Sequence, residues 1–147
     1  GMTGGQGSPL SAVDSFSSTM PFGNFDNPFD ICSLAQAAGA SYVARGLTAK
    51  AIQLPELFSK GIEHKGLSVI DVITQCTVHY GRKNNMRSAA QMLDYQKQHF
   101  IPKSQWEIAD PARKEETLPT GVLYSSPAKD YFTKYHELCE RVQKVED

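Results

Sequence analysis

Between Asn27 and Thr74 the chain alternates helical and β-prone segments twice, and this rhythm limits its fold more than any other feature. Asn27-Pro28 makes a helix start, because an asparagine side chain caps exposed amides and proline suits the first helical position. Ile31, Leu34, Ala35 and Ala38 supply one apolar face and Gly39 a stop, so the spacing predicts a helix over 28–38. Tyr42-Val43-Ala44-Arg45 is short and β-prone. Pro55 to His64 reads as a helix, with Leu57, Phe58 and Ile62 spaced for burial and Gly66 ending it. Leu67 to Thr74 carries Val69, Ile70, Val72 and Ile73, interrupted only by Asp71, and predicts an interior strand. Helix, strand, helix, strand in this order implies an α/β fold: a parallel sheet flanked by helices, with right-handed crossovers.

Beyond Cys76 the pattern changes to a polar loop, Tyr80-Gly81-Arg82-Lys83-Asn84-Asn85, and then a helix over about 86–98 with Met86, Ala89, Ala90 and Leu93 on its face. Residues 101–120 are rich in charge and proline and predict an extended surface arm, on which Trp106 is a candidate anchor for another subunit. Thr120 to Tyr124 adds a strand, and Asp130 opens an amphipathic helix through Phe132, Tyr135, Leu138, Cys139 and Val142. The chain divides at residue 85 into the α/β part, 1–85, and a part with helices and arm for subunit contacts, 86–147. Two or three strands are few for a parallel sheet with both faces covered. The fold is therefore expected to be incomplete on its own, completed by a preceding segment or by another subunit in a dimer or larger assembly.

Composition excludes several partners. Fifteen basic and 16 acidic residues nearly cancel, so no strong field draws nucleic acid or an acidic membrane surface. No apolar run approaches the roughly 20 residues of a membrane span. Cys32, Cys76 and Cys139 are odd in number and show no CxxC spacing, which argues against a disulfide framework or a self-contained zinc site and fits a reducing cytoplasm. Cys32 and Cys139 fall among apolar helix residues, where core packing is expected.

The residues that can carry chemistry cluster at the start. Gly1-Met2-Thr3-Gly4-Gly5-Gln6-Gly7-Ser8-Pro9 places small residues where backbone comes close to a ligand or takes positive φ, and it adds hydroxyl and amide donors. A phosphate-bearing cofactor suits it. It is neither a Walker loop nor a dinucleotide GxGxxG following a strand. Met2 to Gln6 also resembles a common epitope tag, and the glycine cluster alone equally suits a plain loop. Cys76 follows the apolar strand at its carboxyl end, where α/β sheets place functional residues, although a free cysteine taken alone is more often a buried inert thiol. Arg45, Arg82 and Lys83 are candidates for meeting a carboxylate, with surface solvation as the ordinary alternative. His64 suits a helix C-terminus, and His79 lies near enough to Cys76 to support it, with a solvated loop histidine as the ordinary alternative.

The continuation decides between these readings. The glycine loop, Phe22-Gly23-Asn24, Asn27-Pro28-Phe29-Asp30, Leu34-Ala35, Gly39-Ala40, Tyr42-Val43-Ala44-Arg45, His64-Lys65-Gly66-Leu67-Ser68, Cys76 and Tyr80-Gly81-Arg82-Lys83-Asn84 resemble, in order and spacing, the β subunits of 2-oxoacid:ferredoxin oxidoreductases. Thr120 to Tyr124 extends the likeness more loosely. The resemblance implies the C-terminal part of a thiamine-diphosphate-binding fold, with Met2, Thr3, Gly4, Gly5 and Gln6 lining the cofactor or substrate pocket. It implies that the Gly-Asp-Gly motif for the bridging Mg2+ belongs upstream of Gly1. It further implies that Cys76 is one ligand of a [4Fe-4S] cluster whose other three cysteines are absent here; Gln75 stands where many relatives have proline.

The activity so implied is oxidative decarboxylation of a 2-oxoacid to its acyl-coenzyme A, with electrons passed to ferredoxin and an α subunit as partner. The fragment alone is expected to be inactive. Gly1-Met2-Thr3 and Tyr80 to Asn84 look more like members that use 2-oxoglutarate than those that use pyruvate. A non-catalytic α/β interaction module and a small nucleotide-binding domain are the alternatives.

Overall fold

A computed structural model describes residues 3–144. Its helices are α1 (Ile31–Ala37), α2 (Leu54–Glu63), α3 (Ala89–His99), α4 (Lys103–Ile108), α5 (Pro111–Glu116) and α6 (Tyr131–Gln143). Its strands are β1 (Tyr42–Leu47), β2 (Ser68–Ile73), β3 (Phe100–Pro102) and β4 (Leu118–Ser125). They form one sheet in the order β2-β1-β4-β3. β1 and β2 run parallel, as the alternation predicts, and β3 runs parallel to β4. β4 pairs antiparallel with β1, which makes the sheet mixed.

β1 is the centre of the domain, and all six of its residues are buried. Successive side chains of a strand point to opposite faces, and here each face meets its own helix. Val43 packs with Cys32 and Ala40, beside Ile31 and Ala35 of α1. Tyr42 and Ala44 pack with Leu57 of α2 and with Ile70. The Tyr42 hydroxyl donates to the Leu57 carbonyl at 3.2 Å, so the one polar atom of this layer is satisfied. Cys32 lies in the core as expected, 3% exposed. Burial, the largest cause, pushes its thiol up to about 11, which leaves it an inert packing group.

Four expectations change. Helix α1 starts at Ile31, because the Asp30 carboxylate rather than Asn27 accepts the Cys32 amide and caps it. β2 is an edge strand and only half-buried, not interior. Its continuous β-branched run is therefore covered on fewer sides than its sequence suits. The extended arm is replaced by β3 and the short helices α4 and α5. Asp110 caps α5 through the Arg113 amide, and Trp106 is held by its own chain: its Nε1 donates to the Thr117 carbonyl at 3.0 Å and Lys114 lies over its ring. Finally, α6 forms where predicted, capped by Asp130, but Phe132, Tyr135, Leu138 and Val142 are all exposed. Cys139 is half-buried there rather than part of a core. No helix among the described residues is long and apolar enough to cross a membrane.

Candidate functional site

The parallel strands deliver their carboxyl ends to one edge of the domain, and the chain beyond β2 turns there. Cys76 precedes a tight π-type turn, Thr77–Gly81, closed by the Gly81 amide donating to the Cys76 carbonyl at 2.9 Å. The turn directs amides at the Cys76 sulfur. The N–H groups of His79 and Tyr80 are the largest causes that lower its thiol to about 7. A half-exposed sulfur aimed at by backbone donors holds negative charge easily, as a thiolate ligand must.

The glycine loop comes to this same edge. Gly1 and Met2 lie outside the described residues, and Thr3 opens a short 3-10 turn, Thr3–Gly5. Gly4 and Gly5 take φ of 70° and 74°, the left-handed region that glycine enters without penalty. Gly5 is buried against His79: a Cβ there would stand 3.0 Å from the histidine Cβ and Nδ1. Ser18 ties the turn down, its amide donating to the Gly5 carbonyl at 2.8 Å and its hydroxyl to the Gly4 carbonyl at 3.1 Å.

Asn84 joins the two segments. The Phe16 amide donates to its Oδ1 at 2.8 Å, and its Nδ2 donates to the carbonyls of Phe16 at 3.0 Å and Tyr80 at 2.9 Å. One side chain thus fixes the loop after the glycines to the turn after the cysteine. Between them opens a cavity of about 390 Å³, lined among others by Gln6, Ser8, Thr74, Cys76, Tyr80 and Met92. Of the predicted residues, Gly5, Gln6 and Cys76 are brought together, while Gly4 flanks them on the exposed side. Ser18 gave no signal, since a lone serine in a loop reads as a turn former, and Asn84 entered only as part of the Tyr80–Asn84 resemblance, without a structural role of its own.

The charged candidates separate. Arg45 meets no solvent: it is 2% exposed and paired with Asp71 at 2.8 Å and Asp30 at 2.5 Å. It is an internal clamp between α1 and the sheet. Arg82, Lys83 and His79 are exposed. His64 sits at the end of α2, where its Nε2 meets the Ser41 hydroxyl at 2.9 Å. Among the described residues no group of three or more histidine, cysteine or acidic side chains converges to hold a metal ion. Cys76 thus has no such group around it among the described residues, and a cubane cluster takes four ligands.

Residues 1–72 match the family described as thiamine pyrophosphate enzyme, C-terminal TPP binding domain. The chain is 40% identical over 142 residues to the 2-oxoglutarate synthase subunit KorB of Methanothermobacter marburgensis, covering 97% of this chain and 47% of the relative. The same subunit of Methanothermobacter thermautotrophicus is 38% identical over 147 residues, covering 100% and 49%. The chain thus spans about half the length of the curated relatives it matches. Its fold matches, with a TM-score of 0.71 and 24% identity, a 2-oxoglutarate:ferredoxin oxidoreductase of Magnetococcus marinus solved with 2-oxoglutarate, coenzyme A and succinyl-CoA bound; the match covers 94% of this chain and 47% of that one.

Proposed function

This chain belongs to the β, thiamine-diphosphate-binding, subunits of the 2-oxoacid:ferredoxin oxidoreductases, and we propose that it forms one wall of their cofactor site together with one iron ligand. The activity proposed for the whole enzyme is oxidative decarboxylation of a 2-oxoacid to its acyl-coenzyme A with ferredoxin as acceptor; 2-oxoglutarate is favoured by the name 2-oxoglutarate synthase that the relatives carry, and the acceptor and coenzyme A by the name and ligands of the structural neighbour. The observation that carries the assignment is the contact of Gly5 with His79, three residues beyond Cys76. It puts the glycine loop and the cysteine at one end of the sheet.

The residues present fit the groups that the family implies. Gly4 and Gly5 hold backbone at positive φ, and a Cβ at Gly5 would press on the His79 side chain of the neighbouring turn. We assign Met2, Thr3, Gly4, Gly5 and Gln6 to the wall facing thiamine diphosphate, and Cys76 to a [4Fe-4S] cluster. When bound, thiamine diphosphate supplies the electron sink for decarboxylation. The chain's own share is positional. Ser18 and Asn84 hold the loop, so its shape is set before a ligand arrives and little ordering is left for the moment of binding. His79 and Tyr80 present N–H groups to the Cys76 sulfur, and such donors stabilise a thiolate and tune a metal centre bound to it.

By the resemblance, magnesium and the remaining cluster cysteines are assigned to residues outside this chain; among the described residues no group of three or more histidine, cysteine or acidic side chains converges. An α subunit is the expected partner, and the exposed apolar stripe of α6 and the open edge of β2 are the surfaces we assign to subunit contacts. Membership of this family favours the enzymatic reading over a non-catalytic module or a nucleotide-binding domain.

The test is titration of the full-length subunit with thiamine diphosphate and magnesium, followed by protein fluorescence. Saturable binding weakened by Gly5→Ala is expected, and no binding would sink the cofactor assignment. Visible absorbance of the cluster, compared before and after Cys76→Ala, tests the ligand. Unchanged iron content would remove it.

A further inference from the structure

Gln96 of α3 is 3% exposed, an unusual place for an uncharged polar side chain of that length. Its hydrogen bonds explain the burial. Its Oε1 accepts the Ala49 amide at 3.0 Å, and its Nε2 donates to the Thr48 hydroxyl at 3.2 Å. The Thr48 hydroxyl in turn donates to Oε1 of Gln75 at 2.6 Å. The directions are mutually consistent: one hydroxyl accepts from Gln96 and donates to Gln75, so each group uses a different part of its bonding capacity.

This relay runs from the middle of a helix, through the end of β1, to the residue before Cys76. Thr48 directly follows β1 and Gln75 follows β2, so the relay also crosses between the carboxyl ends of the two parallel strands. Among the described residues, 74 and 75 lie beyond the β2 ladder, and Cys76 is held only from its far side, by the turn that its carbonyl closes. A side-chain tether at Gln75 is what this backbone has instead.

We propose that Thr48 and Gln96 are positioning residues for Cys76: they lock the Gln75 side chain and so hold the cysteine where its sulfur serves the cluster. The inference rests on the assignment of Cys76 as an iron ligand, and it deepens that assignment with two residues that touch neither iron nor substrate. A partly buried polar network whose bonds are mutually compatible holds one geometry well, and it loses that geometry when one member is removed.

The test uses the full-length subunit in its complex. Thr48→Val keeps the shape and removes the shared hydroxyl; Thr48→Ser keeps the hydroxyl and is the rescue. Two readouts separate the parts of the claim. Amide hydrogen exchange over residues 74–81 reads the tether without reference to iron: Thr48→Val is expected to accelerate it about tenfold, with β1 and β2 unchanged and Thr48→Ser close to the parent. The electron paramagnetic resonance spectrum and reduction potential of the reduced cluster read the consequence, and are expected to shift in Thr48→Val and return in Thr48→Ser. If Thr48→Val proves too unstable to assemble, Gln96→Glu supplies the second variant: it keeps the Oε1 acceptor for Ala49 and loses the donor to Thr48. Exchange and spectrum both matching the parent in a folded variant overturn the proposal. So does faster exchange with an unchanged spectrum in a subunit whose cluster requires Cys76. Cluster content unaffected by Cys76→Ala defeats instead the ligand assignment beneath it, while the exchange readout still decides whether the tether exists.

Discussion

Arg45 on β1 stands opposite Asp71 on β2 in the parallel ladder, and its Nε donates to Asp71 Oδ2 at 2.8 Å inside the domain. Asp30, the N-cap of α1, takes the other side of the same guanidinium. A single buried cation thus ties a helix start to two strands. Removing one partner of a buried pair leaves an uncompensated charge and costs about 3–5 kcal/mol. Asp30 is 40% exposed and Asp71 17%, so water reaches both carboxylates and Arg45→Leu is expected near the lower end, about 3 kcal/mol. Urea unfolding of the full-length subunit measures it. Asp71→Leu added to Arg45→Leu is expected to recover part of the loss, because it removes the carboxylate left behind; an unaltered unfolding midpoint in the single variant would refute the clamp.

The same cluster sets a response to acid. Burial raises the Asp30 carboxyl, but hydrogen bonds from Ser33 and Arg45, the Arg45 charge and the Cys32 amide outweigh it and hold the group below its ordinary value of 3.8. The native state therefore binds fewer protons than the unfolded state in that region. The contribution is fully present above about pH 4 and is lost as pH falls through the depressed native value. Asp30→Asn should lower Tm at neutral pH and show a shallower fall of Tm below about pH 4. Parallel curves for parent and variant would mean that Asp30 does not carry the linkage.

These charges also show where the sequence was readable and where it was not. β1, β2, α2 and α6 follow local rules, apolar spacing with capping or breaking residues, and are found within a few residues of their predicted bounds. The glycine loop and Cys76 could be paired only through their order along the chain, because the Gly5–His79 contact depends on how the loop folds back. Asp71 read as an interruption in a β-branched strand, and Arg45 as a candidate for an external carboxylate or a solvated surface cation. Each makes sense only once strand register sets them side by side. The hydrogen bond of Trp106 was hidden for a similar reason: the residue sits among charges in the sequence, yet its partner Thr117 is eleven residues on and reached only through the bend between α4 and α5. Propensity cannot see a strand's position in a sheet either, so β2 has an interior composition at an edge.

Asn84 offers a cleaner dissection of the site, because its donor and acceptor do separate work. Asn84→Asp retains the acceptor for the Phe16 amide and removes the donor to the Phe16 and Tyr80 carbonyls. Two carbonyls then face a carboxylate. Affinity for thiamine diphosphate is expected to fall about tenfold, the scale of roughly one lost hydrogen bond with its acceptor left unpaired. Limited proteolysis within residues 11–24 should quicken in the same variant. Wild-type affinity together with wild-type proteolysis would show that the loop is held without Asn84.

Gly4 and Gly5 provide a matched pair, since both have positive φ but only one is crowded. Alanine at Gly4 meets nothing within 4 Å among the described residues, so its cost is backbone strain alone, about 1–2 kcal/mol. Alanine at Gly5 carries the same strain and also presses on His79 at 3.0 Å. His79 lies in the turn whose amides face the Cys76 sulfur. Gly5→Ala should therefore disturb both halves of the site and Gly4→Ala mainly the loop. In the full-length subunit, Gly4→Ala is expected to weaken thiamine diphosphate binding while leaving the visible cluster spectrum intact; Gly5→Ala should weaken binding further and alter that spectrum. Adding His79→Ala removes the ring atoms in contact and should restore part of the difference. If the two glycine variants behave alike in both measurements, strain in the loop is sufficient, and the Gly5–His79 contact does not couple the cofactor wall to the cysteine.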